Sequence, residues 1–111
     1  MYKLDKIKEL GGDDEEFIIS IVQVFAEETP ADLESLSKAI SEENFTAIYQ
    51  SAHKMKPNLD LLGMEETRQK ILQIEGMGKE GKNLSLIKEL HAQVSNEVNA
   101  LLLKLKADFN L

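Results

Sequence analysis

The sequence predicts an all-α fold, an antiparallel up-and-down four-helix bundle with a short extra helix at its N-terminal end. Three observations predict it. Apolar residues recur at intervals of three and four almost throughout. Runs of β-branched residues are scarce, and only two prolines occur. The breaks between periodic stretches are short, which favours antiparallel neighbours.

Leu4, Ile7 and Leu10 mark the short first helix, and Gly11-Gly12 stops it. Asp13 is placed to cap the next helix, with Asp14, Glu15 and Glu16 at its positive N-terminal end. Phe17, Ile18, Ile21, Val22 and Phe25 form its apolar stripe. At Glu28-Thr29-Pro30 two readings stand. Thr29 caps a new helix with Pro30 at its first position, or one long helix passes through with a kink. Leu33, Leu36 and Ile40 continue the pattern to a break at Ser41–Asn44, where Asn44 is the cap. Phe45, Ile48, Ala52, Met55, Leu59 and Leu62 then make a sustained seam that Gly63 ends. Met64, Thr67, Ile71, Ile74 and Met77 belong to the next helix, and Gly76, Gly78 and Gly81 are read as the loop after it. Asn83 is read as the cap of the last helix, whose seam is Ile87, Leu90, Val94, Val98, Leu101 and Leu105.

Length fits one domain spanning residues 1–111, with no internal repeat or low-complexity segment. Cysteine is absent, which excludes a disulfide framework and any thiolate metal or redox site. No apolar run reaches the ~18 residues of a membrane span, and the start lacks a secretory h-region. A cytoplasmic, membrane-free monomer is the expectation. Met1 directly before the first helix fits a free-standing protein and equally a piece of a longer one. Net charge is -7, and the chain has no Trp, two Tyr and four Phe. An acidic surface without a basic cluster or stacking platform argues against nucleic acid.

A four-helix pattern says nothing of function, which must come from a site. No Gly-rich phosphate loop, HExxH or EF-hand spacing is present, and neither histidine has a Glu three residues before it. No metal site is expected. The two histidines differ. At 100° per residue, His53 lies about 130° from the centre of its apolar seam and points outward, whereas His91 lies about 60° from its own. His91 reads as a structural residue at the core's shoulder. For His53 the plain alternative is a solvated surface residue. Lys56 follows one turn later on the same surface. A cation there does nothing for a protonated imidazole, but it suits one that becomes phosphorylated.

The stretch Ala52-His53-Lys54-Met55-Lys56-Pro57-Asn58-Leu59-Asp60-Leu61-Leu62-Gly63 resembles the signature of histidine-containing phosphotransfer domains, Ala-His-x-apolar-Lys-Gly-small-x-x-x-apolar-Gly. Phe25–Pro30 resembles the family's acidic segment on the long second helix, and Ile74–Gly78 the end of its fourth. Two positions depart: Pro57 stands for the family's Gly, and Asn58 for its small residue. Pro57 removes a backbone N–H, so the His53 carbonyl loses its helical donor, and a kink or bound water there is the expectation.

The resemblance implies that His53 is the phosphoacceptor of a two-component phosphorelay, taking a phosphoryl group from a receiver domain's aspartyl phosphate and passing it to another. Lys56 is then the charge neighbour of the phosphoryl group. Glu75, where the family often has Gln or Glu, is the candidate that orients the imidazole; its plain alternative is a solvated helix-end carboxylate. The partners implied are response-regulator receiver domains and a hybrid sensor histidine kinase. The chain is then a carrier and not itself an enzyme, with Mg²⁺ on the partner receiver and no cofactor of its own. Tyr49, Gln50, Pro57 and Asp60, with Thr46, lie on the outward side and, together with Asn58, are the candidate docking residues; Tyr49 alternatively packs at the boundary. Asp60 is expected to pair with Lys56 across one turn. A non-catalytic helical adaptor, or a relative that docks receivers without being phosphorylated, remains the alternative.

Overall fold

Asp14, not Asp13, opens the first long helix. Its carboxylate accepts from the amides of Glu16 (3.0 Å) and Phe17 (3.4 Å), because its extended backbone aims the side chain at the free donors of the first turn. The computed structural model describes residues 1–111, and all its regular elements are helices: α1 Asp5–Gly11, α2 Glu15–Ser41, α3 Phe45–Leu61, α4 Glu65–Glu80 and α5 Leu84–Phe109. Each long helix packs on the next in sequence, α5 returns to α2, and α1 lies against α2. The α3–α4 pairing is the most extensive. No helix is long and apolar enough to cross a membrane.

One core runs through the bundle, with Val22, Leu36, Ile48, Leu59, Ile71, Ile74, Ile87, Val98 and Leu105 fully buried. α1 contributes Ile7 alone at full burial; Leu10, expected beside it, is exposed. Between the two readings at Pro30, the structure has one continuous helix. Thr29 caps nothing and is buried, with Oγ1 unpartnered. The face of α2 that enters the core is Phe25, Thr29, Asp32, Leu36 and Ala39, so two polar residues sit in an apolar stripe.

Asn44 caps α3 as expected, accepting from Ala47 at 3.1 Å. Gly63, at φ 65°, ends that turn. Two readings of the fourth and fifth helices need correction. Gly76 and Gly78 lie inside α4, and only Gly81, left-handed at φ 70°, terminates it. The helix survives both glycines because its buried face, Ile71, Ile74 and Glu75, is held by packing, which outweighs propensity. Asn83 takes the N-cap position of α5 but is itself left-handed, and its side chain makes no capping bond. Its carbonyl receives the Ile87 amide at 2.9 Å.

The segment before α1 crosses the end of the bundle. The Lys3 amide donates to the Leu62 carbonyl at 2.7 Å, and the Tyr2 hydroxyl to Asp108 at 2.6 Å. The Tyr2 ring also meets Phe109. This strap joins the C-terminal ends of α3 and α5.

Candidate functional site

Along α3 the buried residues are Ile48, Ala52, Met55 and Leu59. His53 falls between Ala52 and Met55 on the other side of the helix, and its side chain is 62% exposed, as its angle from the seam predicts. On α4, Glu75 follows the fully buried Ile74 and sits at the core's edge, only 10% exposed. What brings the two helices together is a missing side chain. A Cβ on Gly78 would stand 2.8 Å from the Tyr49 nitrogen and 3.1 Å from its Cα. Gly78 is one turn along α4 from Glu75, and Tyr49 is one turn back along α3 from His53. The close approach therefore sits beside the site.

Glu75 is shared. Its Oε2 lies 2.5 Å from His53 Nδ1, and its Oε1 lies 2.7 Å from Lys56 Nζ. An ionised carboxylate has only acceptors, so the hydrogen of this bond is on Nδ1, and a neutral ring then has its lone pair on Nε2. Burial pushes the Glu75 carboxyl up, but hydrogen bonds from Lys56 and His53, with their charge, outweigh it and hold the group below the usual range. Glu75 is not the solvated helix-end carboxylate of the alternative reading. The Tyr49 ring stacks on His53 at a centroid distance of 5.9 Å and an interplanar angle of 25°. Tyr49 is half-buried and so both packs and lines the site. Around them Lys56, Leu72, Gly76 and Lys79 complete a shallow open depression.

The remaining expected docking residues are spread along the outward side of α3. Thr46, Gln50 and Pro57 are exposed. Asn58 is half-buried and donates to Glu28 of α2 at 3.5 Å. Asp60 does not pair with Lys56. It accepts from Lys6 of α1 at 2.5 Å, because Glu75 already holds the Lys56 ammonium. α3 continues through Pro57 to Leu61. His91 lies at the core's shoulder as expected. Its Nε2 is 2.7 Å from Ser37 Oγ, and burial holds the ring below the ordinary histidine value.

One pair had escaped the sequence reading. Lys54 Nζ lies 2.9 Å from Asp32 Oδ1 on α2. The signal for it was an acid at core spacing, four residues before Leu36 and three after Thr29.

The family model for the Hpt domain matches residues 20–104, from within α2 to within α5. This chain belongs to the Hpt domain family. No curated protein and no solved structure matches it. The matched span includes the whole of α3 and α4, and with them His53, Lys56 and Glu75. Hpt domains act in phosphorelays, where they meet receiver domains. In this Hpt domain the histidine of the signature is the exposed ring that Glu75 holds.

Proposed function

We propose that this Hpt domain is a phosphohistidine carrier, in which His53 accepts a phosphoryl group from the aspartyl phosphate of one receiver domain and passes it to another. The observation that carries this reading is the exposed His53 ring bonded through Nδ1 to Glu75, with Lys56 on the same carboxylate. The Nε2 lone pair attacks phosphorus. The bond from phosphorus to the aspartyl oxygen breaks, and the carboxylate leaves with its electron pair. Nδ1 keeps its proton, so the phosphorylated ring is a cation facing Glu75. On the return step a carboxylate oxygen of the second receiver's aspartate attacks phosphorus, the Nε2–P electrons go back to the ring, and neutral imidazole leaves. Glu75, by holding that proton, keeps the ring a competent leaving group. Lys56 turns from Glu75 toward the phosphoryl oxygens and offsets their charge.

The depression around His53 is too shallow and open to enclose a small substrate. Alignment and Mg²⁺ come in this reading from the receiver, since positioning and charge neutralisation carry phosphoryl transfer. The chain is then a carrier and not an enzyme, one domain over residues 1–111, cytoplasmic and monomeric. The four long helices run up and down in antiparallel order, and Tyr49, Gln50, Pro57, Asn58 and Asp60 form the docking face.

The test is incubation with a phosphorylated receiver or a hybrid kinase, followed by mapping of the acid-labile phosphate by mass spectrometry. Label is expected on His53 alone and absent from His53→Gln, whose melt stays near wild type because the side chain is largely exposed and the Gln amide can still donate to Glu75. Label retained in that variant, or found on His91, overturns the assignment. Receiver binding without label supports a docking module instead.

A further inference from the structure

Lys56 is not the only cation tethered beside His53. Lys54, the next residue, carries its ammonium to the α2 side, where Asp32 Oδ1 holds it at 2.9 Å. The two tethers share a design. In each, a carboxylate on a neighbouring helix is nearly buried, Glu75 at 10% and Asp32 at 4% side-chain exposure. In each, the lysine is the more exposed partner, and Lys54 keeps 69% of its side chain in solvent. A surface lysine is ordinarily a mobile charge whose ordering offsets most of its pairing energy. Asp32 cannot move with it, because Asp32 is packed into the stripe between Thr29 and Leu36. Its Oδ2 has no partner at all, so Lys54 is the only ion pair this buried carboxylate has.

The placement matters because of the chain's charge. A protein of net charge -7 repels a partner whose reacting group is a carboxylate or an acyl phosphate. Lys54 and Lys56 place an ion-paired ammonium on each side of His53, and in each pair the cation is the member that solvent or a partner reaches. Neighbouring residues of a helix point about 100° apart, and Lys54 is bonded toward α2 whereas His53 is bonded toward α4, so the two side chains leave α3 toward different neighbours.

We propose that Lys54 is a specificity-determining residue that docks the acidic rim around the partner's phosphoacceptor carboxylate, and that Asp32 is the positioning residue that aims it. This rests on the phosphohistidine reading for the partner's chemistry. It concerns encounter and docking, while Lys56 and Glu75 concern the transfer itself.

The experiment uses the full chain in two arms. In the first, phosphoramidate, a small phosphoryl donor that needs no docking face, labels wild type, Lys54→Ala, Lys54→Arg and Asp32→Asn. Equal labelling is expected in all four. In the second, a receiver domain chosen from a panel for measurable affinity is titrated against the same proteins without phosphate, at several salt concentrations, and its transfer kinetics are measured. Lys54→Ala should weaken binding and raise KM about fivefold at low salt, with kcat unchanged, and should flatten the salt dependence. Lys54→Arg should stay near wild type. Asp32→Asn should weaken binding in the same direction but less, and in an added double variant that effect should vanish in the Lys54→Ala background, which a merely structural role would not produce.

Unchanged affinity and KM in Lys54→Ala overturn the proposal. So does a fall in phosphoramidate labelling or in kcat, which would place Lys54 in the chemistry. Additive Asp32 and Lys54 effects remove Asp32 as the positioning residue. Should Asp32→Asn not fold, the Lys54 series decides alone. Failure of wild type to take phosphate from either donor sinks the phosphohistidine reading, while the binding arm still decides Lys54.

Discussion

Glu75 accepts from His53 and Lys56 together, so at the scale of single residues each change at this site acts on two partners. Glu75→Ala is expected to slow phosphorylation more than it weakens receiver binding, because the ring loses its orientation while the docking face stays. Glu75→Gln should be milder, since its amide oxygen still accepts the ring proton. Nitrogen NMR of the neutral imidazole checks both. An unchanged tautomer ratio in the Ala variant would remove Glu75 as the orienting group. Lys56→Ala should slow transfer and also cost about 1–2 kcal/mol of stability, read from urea midpoints, because a nearly buried carboxylate loses a charged donor. Lys56→Arg should recover part of each, as the two cations differ in geometry. An Ala variant with wild-type transfer would leave Lys56 a packing residue.

The sequence carried this scale unevenly. The outward turn of His53 follows from helix geometry, and the site's members follow from the resemblance. The bonds among them do not. One-turn spacing pairs Lys56 with Asp60, whereas its partner lies on another helix and Asp60 bonds Lys6. Local spacing sees neighbours on one helix and is blind to a carboxylate brought in by the fold.

At the scale of elements, the two glycines of α4 make opposite predictions. Gly76 faces open space, so Gly76→Ala should raise stability by about 0.5–1 kcal/mol through helix propensity. Gly78 meets the backbone of Tyr49, so Gly78→Ala must push α4 off α3, at a net cost of about 1–3 kcal/mol. The same displacement draws Glu75 away from His53, so the His53–Glu75 bond should loosen and transfer should fall in Gly78→Ala. Thermal melts and the transfer assay read both. Gly-x-Gly is a loop signal in a sequence, and nothing local distinguishes a glycine that ends a helix from one that admits a neighbouring helix. The reading of Pro30 stayed open for a similar reason: whether a helix passes a proline depends on what flanks it, here Phe25 and Leu36 anchored in the core.

At the scale of the whole molecule, pH acts through groups whose folded values differ from their ordinary ones. His91 is held below 6.5 by burial. The unfolded chain therefore binds that proton first, and stability present above pH 6.5 declines as pH falls through the lowered folded value. Glu75 has the same sign in a lower window, beginning near 4.5. Tyr2 has the opposite sense. Burial first, then its bond to Asp108, raise it from 10.0 to about 12, so its contribution is full below pH 10 and lost as pH rises toward 12. Urea midpoints across pH should show these flanks. His91→Gln should remove the decline that begins below pH 6.5, and Tyr2→Phe the alkaline one.

The strap that carries Tyr2 has a topological consequence. Tyr2 and Asp108 are 106 positions apart and share a hydrogen bond, so the first and last turns of the chain meet at one end of the bundle. Order along the chain is then nearly independent of order in space. A circular permutant that joins residue 111 to residue 1 through a short Gly-Ser linker, and opens between Gly81 and Lys82 in the exposed α4–α5 connection, breaks no contact of the core or of the His53 site. It is expected to keep native helicity by circular dichroism and to match the linear chain in the phosphate-uptake assay. The same geometry suits the bundle to insertion as one unit within a surface loop of another protein.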